Sequence, residues 1–285
     1  MTTLLAKPND ITETVRHALV EDIGSGDITS ALLPADSKAS ATLISRENAV
    51  LCGAPWFDEV FRQLDNRIEI TWESADGADI EPEQPICRMV GPAAPMLTGE
   101  RIALNFLQTL SGTATLARKY ADQVRGTKTR VLDTRKTIPG LRTAQKYAVR
   151  CGGCHNHRMG LYDGILIKEN HILAAGSLTA AVRLARERNP GIPVEVEVES
   201  LAECQEAIVA GAEFILLDNF DIEKIKQAVR IEGRQAKLEV SGGVELTELR
   251  RLAETGVDYV SIGSLTKHVR AVDFSLRFEY KGQPA

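Results

Sequence analysis

This sequence predicts an α/β fold built on a parallel sheet, and three observations carry that expectation. From residue 127 onward, short β-branched runs (TRVLD, GILIK, VEVEV, FILLD, KLEVS, YVSIG) alternate with helix-compatible segments such as SLTAAVRLARERN and LAECQEAIVAGAE. The repeat of roughly 20 to 35 residues is that of βαβ units. A polar, functional-looking residue closes nearly every strand-like run: Asp133 with Arg135, Lys168, Glu197, Asp218, Ser241 and Gly263. Reactive groups at C-terminal strand ends are the mark of a TIM-like barrel. Only six such runs are clear, so the barrel should be incomplete or irregular.

Upstream, the pattern differs. Over residues 10 to 22, Ile11, Val15, Ala18 and Leu19 recur at helical spacing behind Asp10, a candidate N-cap. The GSGD loop at 24 to 27 follows, too short for a dedicated calcium loop. Residues 38 to 90 read as strands separated by Gly, Asp and Pro: KASATLISRENAVLCG, IEITWES and ICRMVG. A helix is expected from near Thr98 through ERIALNFLQTL, interrupted at Ser111-Gly112 before TATLARKYADQVRG. In the tail, Val272, Phe274, Leu276, Phe278 and Tyr280 alternate with Asp273, Ser275, Arg277 and Glu279. That period of two is a strand with one buried face, which could rejoin the N-terminal sheet and make its domain discontinuous.

The chain's 285 residues allow one large or two ordinary domains. No apolar run approaches the roughly 20 residues of a bilayer-spanning helix, which argues against membrane integration. The N-terminus lacks the apolar stretch of a secretory signal, and five cysteines form an odd set. Reduced thiols in a cytoplasmic protein are therefore expected. A sequence pI near 5.7 argues against nucleic acid as a partner.

Against a formal net charge of −5, residues 127 to 158 hold eight Lys or Arg and a single acid, Asp133. Such a concentration of positive charge on an acidic chain points to an anionic ligand. Arginine forks pair with carboxylate and phosphate through two parallel hydrogen bonds. Arg135, Lys136, His157, Arg158 and Lys168 are placed at the site, whereas Arg142, Lys146 and Arg150 could simply line a helix. In VEVEVE, Glu195, Glu197 and Glu199 alternate and should share one face of a strand. Buried there, they would need cations, hydroxyls or a metal. Glu197 with Asp218 of the next strand suits Mg²⁺, which takes a few carboxylates with water and substrate oxygens. The glycine-rich loops Ser241-Gly242-Gly243 and Ser261-Ile262-Gly263-Ser264 let backbone N–H groups approach a phosphate. Two other readings stay open: Lys168 as a Schiff-base lysine, and Cys151, Cys154, His155 and His157 as a zinc site.

With these motifs in order, DTRKT, GG-x-x-NHR, LIKENH, VEVEVE, LLDN and EVSGG, the chain resembles the quinolinate phosphoribosyltransferases, from EDIGSGDIT at 21–29 to SIGSLTKHV at 261–269. The resemblance implies an N-terminal α/β sandwich domain (1–112 with 270–285) beside an incomplete TIM-like α/β barrel (113–269). It implies a homodimer, or a multiple of dimers, with shared active sites. The implied reaction joins quinolinate to phosphoribosyl pyrophosphate with Mg²⁺, giving nicotinate mononucleotide, pyrophosphate and CO₂, a step of NAD synthesis. Carried over by motif, Arg135, His157 and Arg158 hold the quinolinate carboxylates, and Arg101 is lent by a neighbouring subunit. Lys136 and Lys168 attend the substrate and pyrophosphate. Glu197 and Asp218 serve ribose hydroxyls and metal, while Ser241, Gly242 and Gly263 bind the 5′-phosphate. Lys136, Lys168, Glu197 and Asp218 are the catalytic set. One departure is Cys154, standing where relatives commonly continue a glycine run; little change is expected unless φ is positive there. The alternatives are a paralogue acting on another ring acid, a Schiff-base lyase using Lys168, and a zinc-dependent interaction protein.

Overall fold

The computed structural model describes residues 7–280. In chain order it contains α1 (Ile11–Ile23), β1 (Lys38–Ser45), β2 (Ala49–Val50), α2 (Ala54–Leu64), β3 (Glu69–Trp72), β4 (Asp79–Ile80), β5 (Pro85–Pro92) and α3 (Ala93–Gln123). Next come β6 (Arg130–Leu132), α4 (Arg142–Cys151), β7 (Ile165–Ile167), α5 (Glu169–Ala175), α6 (Leu178–Arg188), β8 (Val194–Val198) and α7 (Leu201–Ala210). The chain closes with β9 (Phe214–Asp218), α8 (Ile222–Val229), β10 (Lys237–Ser241), α9 (Leu246–Ala253), β11 (Tyr259–Ser261), α10 (Ser264–Lys267) and β12 (Phe274–Tyr280).

The chain divides into two compact units: one holds residues up to Arg118, Thr137–Gly153 and Leu265 onward; the other holds Lys119–Lys136 and Cys154–Ser264. The predicted N-terminal domain range also takes in residues 1–6 and 281–285, which lie outside the described residues.

The first unit is built on an antiparallel sheet in the order β12-β1-β5-β3. The tail strand pairs along β1 from Ala39↔Tyr280 to Ser45↔Phe274, and its alternation places Val272, Phe274 and Leu276 in the core. Helix α2 interrupts the run that reads as strand in the sequence. Its signals are Pro55 in the first turn and Trp56, Phe57, Val60 and Phe61 on one buried side. Phe57 meets Phe61 and Trp72 edge-on, at centroid distances of 5.1 and 5.3 Å. The side chain of Asp10 does not cap α1, although it precedes it; Thr14 N–H bonds to the Asp10 carbonyl instead. Asp27 of the GSGD loop serves the fold. Its carboxylate accepts from the Ser30 hydroxyl at 2.6 Å, from the Ser30 and Thr29 amides at 3.0 Å each and from Thr98 Oγ1 at 2.8 Å, and these bonds, the Ser30 hydroxyl first, hold its pKa down at about 2.

Helix α3 runs unbroken for 31 residues, through the Ser111-Gly112 pair expected to interrupt it. Both residues are small because other backbone abuts the helix there. The Ser111 hydroxyl accepts from Cys52 N–H at 2.9 Å and sits 3.1 Å from the Cys52 carbonyl oxygen. A Cβ on Gly112 would lie 2.2 Å from the Arg270 carbonyl oxygen. Helix α4 packs its Ala144, Tyr147, Ala148 and Cys151 into the same core, with Tyr147 against Trp56 at 5.5 Å.

The second unit is a six-stranded sheet ordered β6-β11-β10-β9-β8-β7, parallel throughout. Among the described residues β6 and β7, consecutive in sequence, are the two edges, so the barrel is incomplete. The segment at His155 takes up a parallel bridge to Leu132 on the β6 edge. The crossover helices α6, α7 and α8 start at side-chain caps, where Ser177, Ser200 and Asp221 accept from the amides of Ala180, Glu203 and Lys224. Because all six strands run the same way, their C-terminal ends open on one side of the sheet.

Candidate active site

Each strand end contributes a group. Past β6, Asp133 is fully buried, and it is a clamp. Its Oδ1 accepts from the His157 amide at 2.9 Å and its Oδ2 from Asn156 Nδ2 at 2.6 Å, while its own N–H bonds to the His155 carbonyl at 3.0 Å. These bonds fix the 155–158 segment to the strand end. Three residues on, Lys136 is turned by a bond from its amide to Thr134 Oγ1 at 3.1 Å and runs past Gly263, where a Cβ would lie 3.0 Å from Lys136 Cδ. Glycine after β11 thus makes room for the lysine stem.

His157 and Arg158 are ordered as a pair. His157 Nδ1 accepts the Arg158 backbone N–H at 2.8 Å, so the proton of the neutral ring is on Nε2. That N–H faces Glu195 Oε2 at 2.9 Å, with Glu239 Oε2 at 3.5 Å. The Arg158 guanidinium donates to the Gly164 carbonyl at 2.9 Å. Its pKa is lowered, first by burial and then by the nearby charge of Arg135. Two guanidiniums held close enough to repel form a receptor that an anion stabilises.

Lys168, after β7, pairs with Glu197 of β8. A Schiff-base lysine wants an apolar pocket or a cationic neighbour, and Lys168 faces a carboxylate instead. Asp218 ends β9 in register with Ser241 of β10. Asn219 holds a left-handed φ of 56° and donates from Nδ2 to Asp218 Oδ2 at 2.9 Å. Gly242 has φ 103°, and a Cβ there would sit 3.6 Å from Asp218 Oδ1. Its glycine is required by conformation.

The second unit therefore brings Arg135, Lys136, His157, Arg158, Lys168, Glu197, Asp218, Ser241, Gly242 and Gly263 to its C-terminal strand edge. Arg101 is an exposed residue of α3 in the first unit. Glu199 does not share the face of Glu195 and Glu197: β8 ends at Val198, and Glu199 is exposed with its amide on Glu203 Oε2 at 2.7 Å. The four-ligand zinc site does not form. Among the described residues Cys151 groups with Cys52 and Asp76, and His157 with Glu195 and Glu239. Cys154 is buried with a thiol pKa pushed up to about 12, chiefly by desolvation, and its φ lies outside the left-handed region. Sequence reasoning missed Glu239 and the clamp of Asp133 on Asn156. A carboxylate inside the apolar run KLEVS, as in VEVEV, was the available signal for Glu239.

Comparison with known proteins agrees with this geometry. The family model described as "Quinolinate phosphoribosyl transferase, C-terminal domain" matches residues 113–277, and that of the N-terminal domain matches residues 27–111. A solved nicotinate-nucleotide pyrophosphorylase from Francisella tularensis is 46% identical with a TM-score of 0.93, covering 98% of this chain and 100% of that one. The nicotinate-nucleotide pyrophosphorylase [carboxylating] of Mycobacterium leprae is 42% identical over 273 residues, 93% of this chain and 95% of the relative. A probable enzyme of the same name from Bacillus subtilis is 39% identical over 263 residues, 92% of this chain and 91% of the relative. With both family models together spanning nearly its whole length, the chain belongs to the quinolinate phosphoribosyl transferase family.

Proposed function

We propose that this chain transfers phosphoribosyl from phosphoribosyl pyrophosphate to quinolinate with loss of CO₂, giving nicotinate mononucleotide and pyrophosphate. One observation supports it above the others: a single strand edge gathers the Arg135–Arg158 pair, two lysines, two carboxylates and two glycine-lined loops. Quinolinate brings two carboxylates, matched to the arginines. The donor brings a phosphate and a pyrophosphate, matched to Lys136, Lys168 and the Ser241-Gly242 and Gly263 turns.

In this reading the pyridine nitrogen attacks the ribose C1′ as the C1′–O bond to pyrophosphate breaks. Positive charge grows on the sugar ring, and Glu197 and Asp218 stabilise it electrostatically. The nitrogen, now bonded to ribose, is cationic. The electron pair left on C2 when its carboxylate departs as CO₂ is stabilised by that charge, and C2 then takes a proton. The protein orients the two substrates, holds their anionic groups and keeps water from the sugar. No covalent nucleophile on the enzyme is needed.

Glu197 and Asp218 offer two hard oxygen donors rather than a closed cage, the donor set Mg²⁺ accepts beside substrate oxygens and water. The ion, when bound, neutralises charge on the departing pyrophosphate. We place the working enzyme in a homodimer, with the exposed Arg101 as the residue one subunit lends to the site of the other. The buried free cysteines fit a reducing compartment, and we assign the enzyme to the cytoplasm. Among the described residues no helix is long and apolar enough to cross a membrane.

The test is release of CO₂ and pyrophosphate by the purified chain with the sugar donor and either quinolinate or nicotinate. Turnover of quinolinate and none of nicotinate is expected. Equal or faster turnover of nicotinate overturns the substrate assignment.

A further inference from the structure

Gln145 of α4 is fully buried, and its amide joins two segments far apart in the chain. Oε1 accepts the Ile138 backbone N–H at 2.8 Å, and Nε2 donates to the Thr266 carbonyl of α10, also at 2.8 Å. A longer contact of 3.5 Å runs from Nε2 to Thr113 Oγ1 of α3. One partner is a donor and the other an acceptor, so the amide has a single orientation; turned over, it would set N–H against N–H and oxygen against oxygen. An ionised glutamate lacks the donor, and leucine or methionine lacks both groups.

The two segments come from the site. Strands β6 and β11 are paired neighbours, and each runs on past the strand edge. The segment after β6 carries Arg135 and Lys136 and reaches Ile138, while the one after β11 carries Gly263 and reaches Thr266. Their near ends are anchored, with Lys136 N–H on Thr134 Oγ1 at 3.1 Å and Ile262 N–H on the Leu132 carbonyl at 2.8 Å. Between the ends, a Cβ on Gly263 would lie 3.0 Å from Lys136 Cδ, so lysine stem and glycine turn are in register with each other. The far ends are held by one side chain, Gln145. Helix α4 tightens the grip on the first segment: Arg142 Nε donates to Thr137 Oγ1 at 3.2 Å, and Leu141 N–H to the Ile138 carbonyl at 3.1 Å.

We propose that Gln145 is a positioning residue for Lys136 and Gly263, fixing the far ends of both segments so that the lysine and the glycine turn keep the spacing at which they receive the sugar donor. The roles of Lys136 and Gly263 toward pyrophosphate and 5′-phosphate rest on the function proposed above. Gln145 touches no substrate in this scheme. Without its amide, the Ile138 N–H and the Thr266 carbonyl lose their bonds to it, and each segment must shift to replace them. Groups that bind a substrate's anions work only when such supports lock their geometry.

The test compares Gln145→Leu, which keeps roughly the volume but makes neither bond, with Thr113→Val, which disturbs the same buried spot without releasing either segment. Calorimetric titration of the full-length protein with phosphoribosyl pyrophosphate, quinolinate absent, reads donor binding directly. Gln145→Leu should weaken it about tenfold or more, while Thr113→Val should stay within about twofold of wild type even where its urea midpoint falls as far. In turnover, the leucine variant should raise the KM for the donor more than it lowers kcat. Gln145→Met fills the same space and repeats the comparison should the leucine variant not fold. In wild type the Ile138 amide should exchange slowly with deuterium before any ligand is added, and it should exchange faster in the Gln145 variants. The inference is overturned by rapid Ile138 exchange in wild type, by Gln145 variants that are less stable yet bind the donor normally, or by Thr113→Val weakening the donor equally. A wild type that binds the donor but does not turn over quinolinate sinks the proposed reaction, and the calorimetry still decides the role of Gln145.

Discussion

Gly112→Ala separates intrinsic helix propensity from packing, because the two predict opposite signs. Gly112 lies inside a continuous helix, where replacing Gly by Ala is favourable by about 1 kcal/mol on propensity alone. The new Cβ, however, would stand 2.2 Å from the Arg270 carbonyl oxygen and 3.0 Å from its carbon. A carbon–oxygen contact needs roughly 3.3 Å, so the two backbones must part by about 1 Å. The 270–273 segment is not free to yield. Val272 N–H bonds to the Gln108 carbonyl at 3.1 Å, the Arg270 guanidinium to Glu47 Oε2 at 2.6 Å, and the Asp273 amide to Glu47 Oε1 at 3.1 Å. Overpacking against fixed backbone costs about 1–3 kcal/mol, and loss of the Val272 bond adds about 1 kcal/mol. Set against the propensity gain, the net expectation is destabilisation of about 2 kcal/mol. Urea unfolding followed by circular dichroism measures it, with a lower midpoint for Gly112→Ala and a lower one still for Gly112→Ser. An alanine variant as stable as wild type, or more so, refutes the claim that close approach fixes this glycine.

Glu239→Gln should change the pH dependence of stability. The folded pKa of about 8 lies above the ordinary 4.5, so the folded state binds the extra proton, and wild type loses stability as pH rises from about 4.5 through 8. The groups facing this carboxyl are Glu195, His157 and the Ser261 hydroxyl. The Gln variant should gain on wild type by an amount on the order of a few kcal/mol between pH 5 and pH 9, read from urea midpoints; parallel curves would contradict a retained proton. Lys168→Met should lower kcat/KM about a hundredfold or more, and Lys168→Met with Glu197→Gln should lose less than the sum of the single losses, because the two side chains form one unit. Strict additivity in the double-mutant cycle would mean the pair is not coupled. Mixed Arg101→Ala and Arg135→Ala proteins, each inactive alone, should regain partial activity through hybrid dimers. Absence of recovery despite demonstrated subunit exchange would place Arg101 at its own chain's site.

What the sequence determined by itself is everything written in short-range pattern. Six β-branched runs alternating with helices specify a parallel α/β unit, because each strand needs both faces covered and each crossover needs a helix. Polar residues at the ends of those runs then had to converge on one edge, so Arg135, Lys136, Lys168, Glu197 and Asp218 could be named from order alone. The tail strand was legible for the same reason, through its period of two.

Only the tertiary structure decided which neighbours distant segments would have. Ser111-Gly112 looks like a helix breaker locally, yet its smallness answers to the backbone of Cys52 and Arg270, far away in sequence. The aromatic cluster of α2 reads equally well as strand until Trp72 and Tyr147 arrive against it. Cys151 and Cys154 look like one motif, but Cys151 groups with Cys52 and Asp76 in the first unit, and Cys154 sits in the second. Glu239 is an anomaly in an apolar run until Glu195 and His157 meet it across two strands. Hydrophobic period and strand-end chemistry are local properties and survive in a string of residues. Desolvation, tautomer and close backbone approach depend on which chain segments fill the space around a group, and only the fold supplies them.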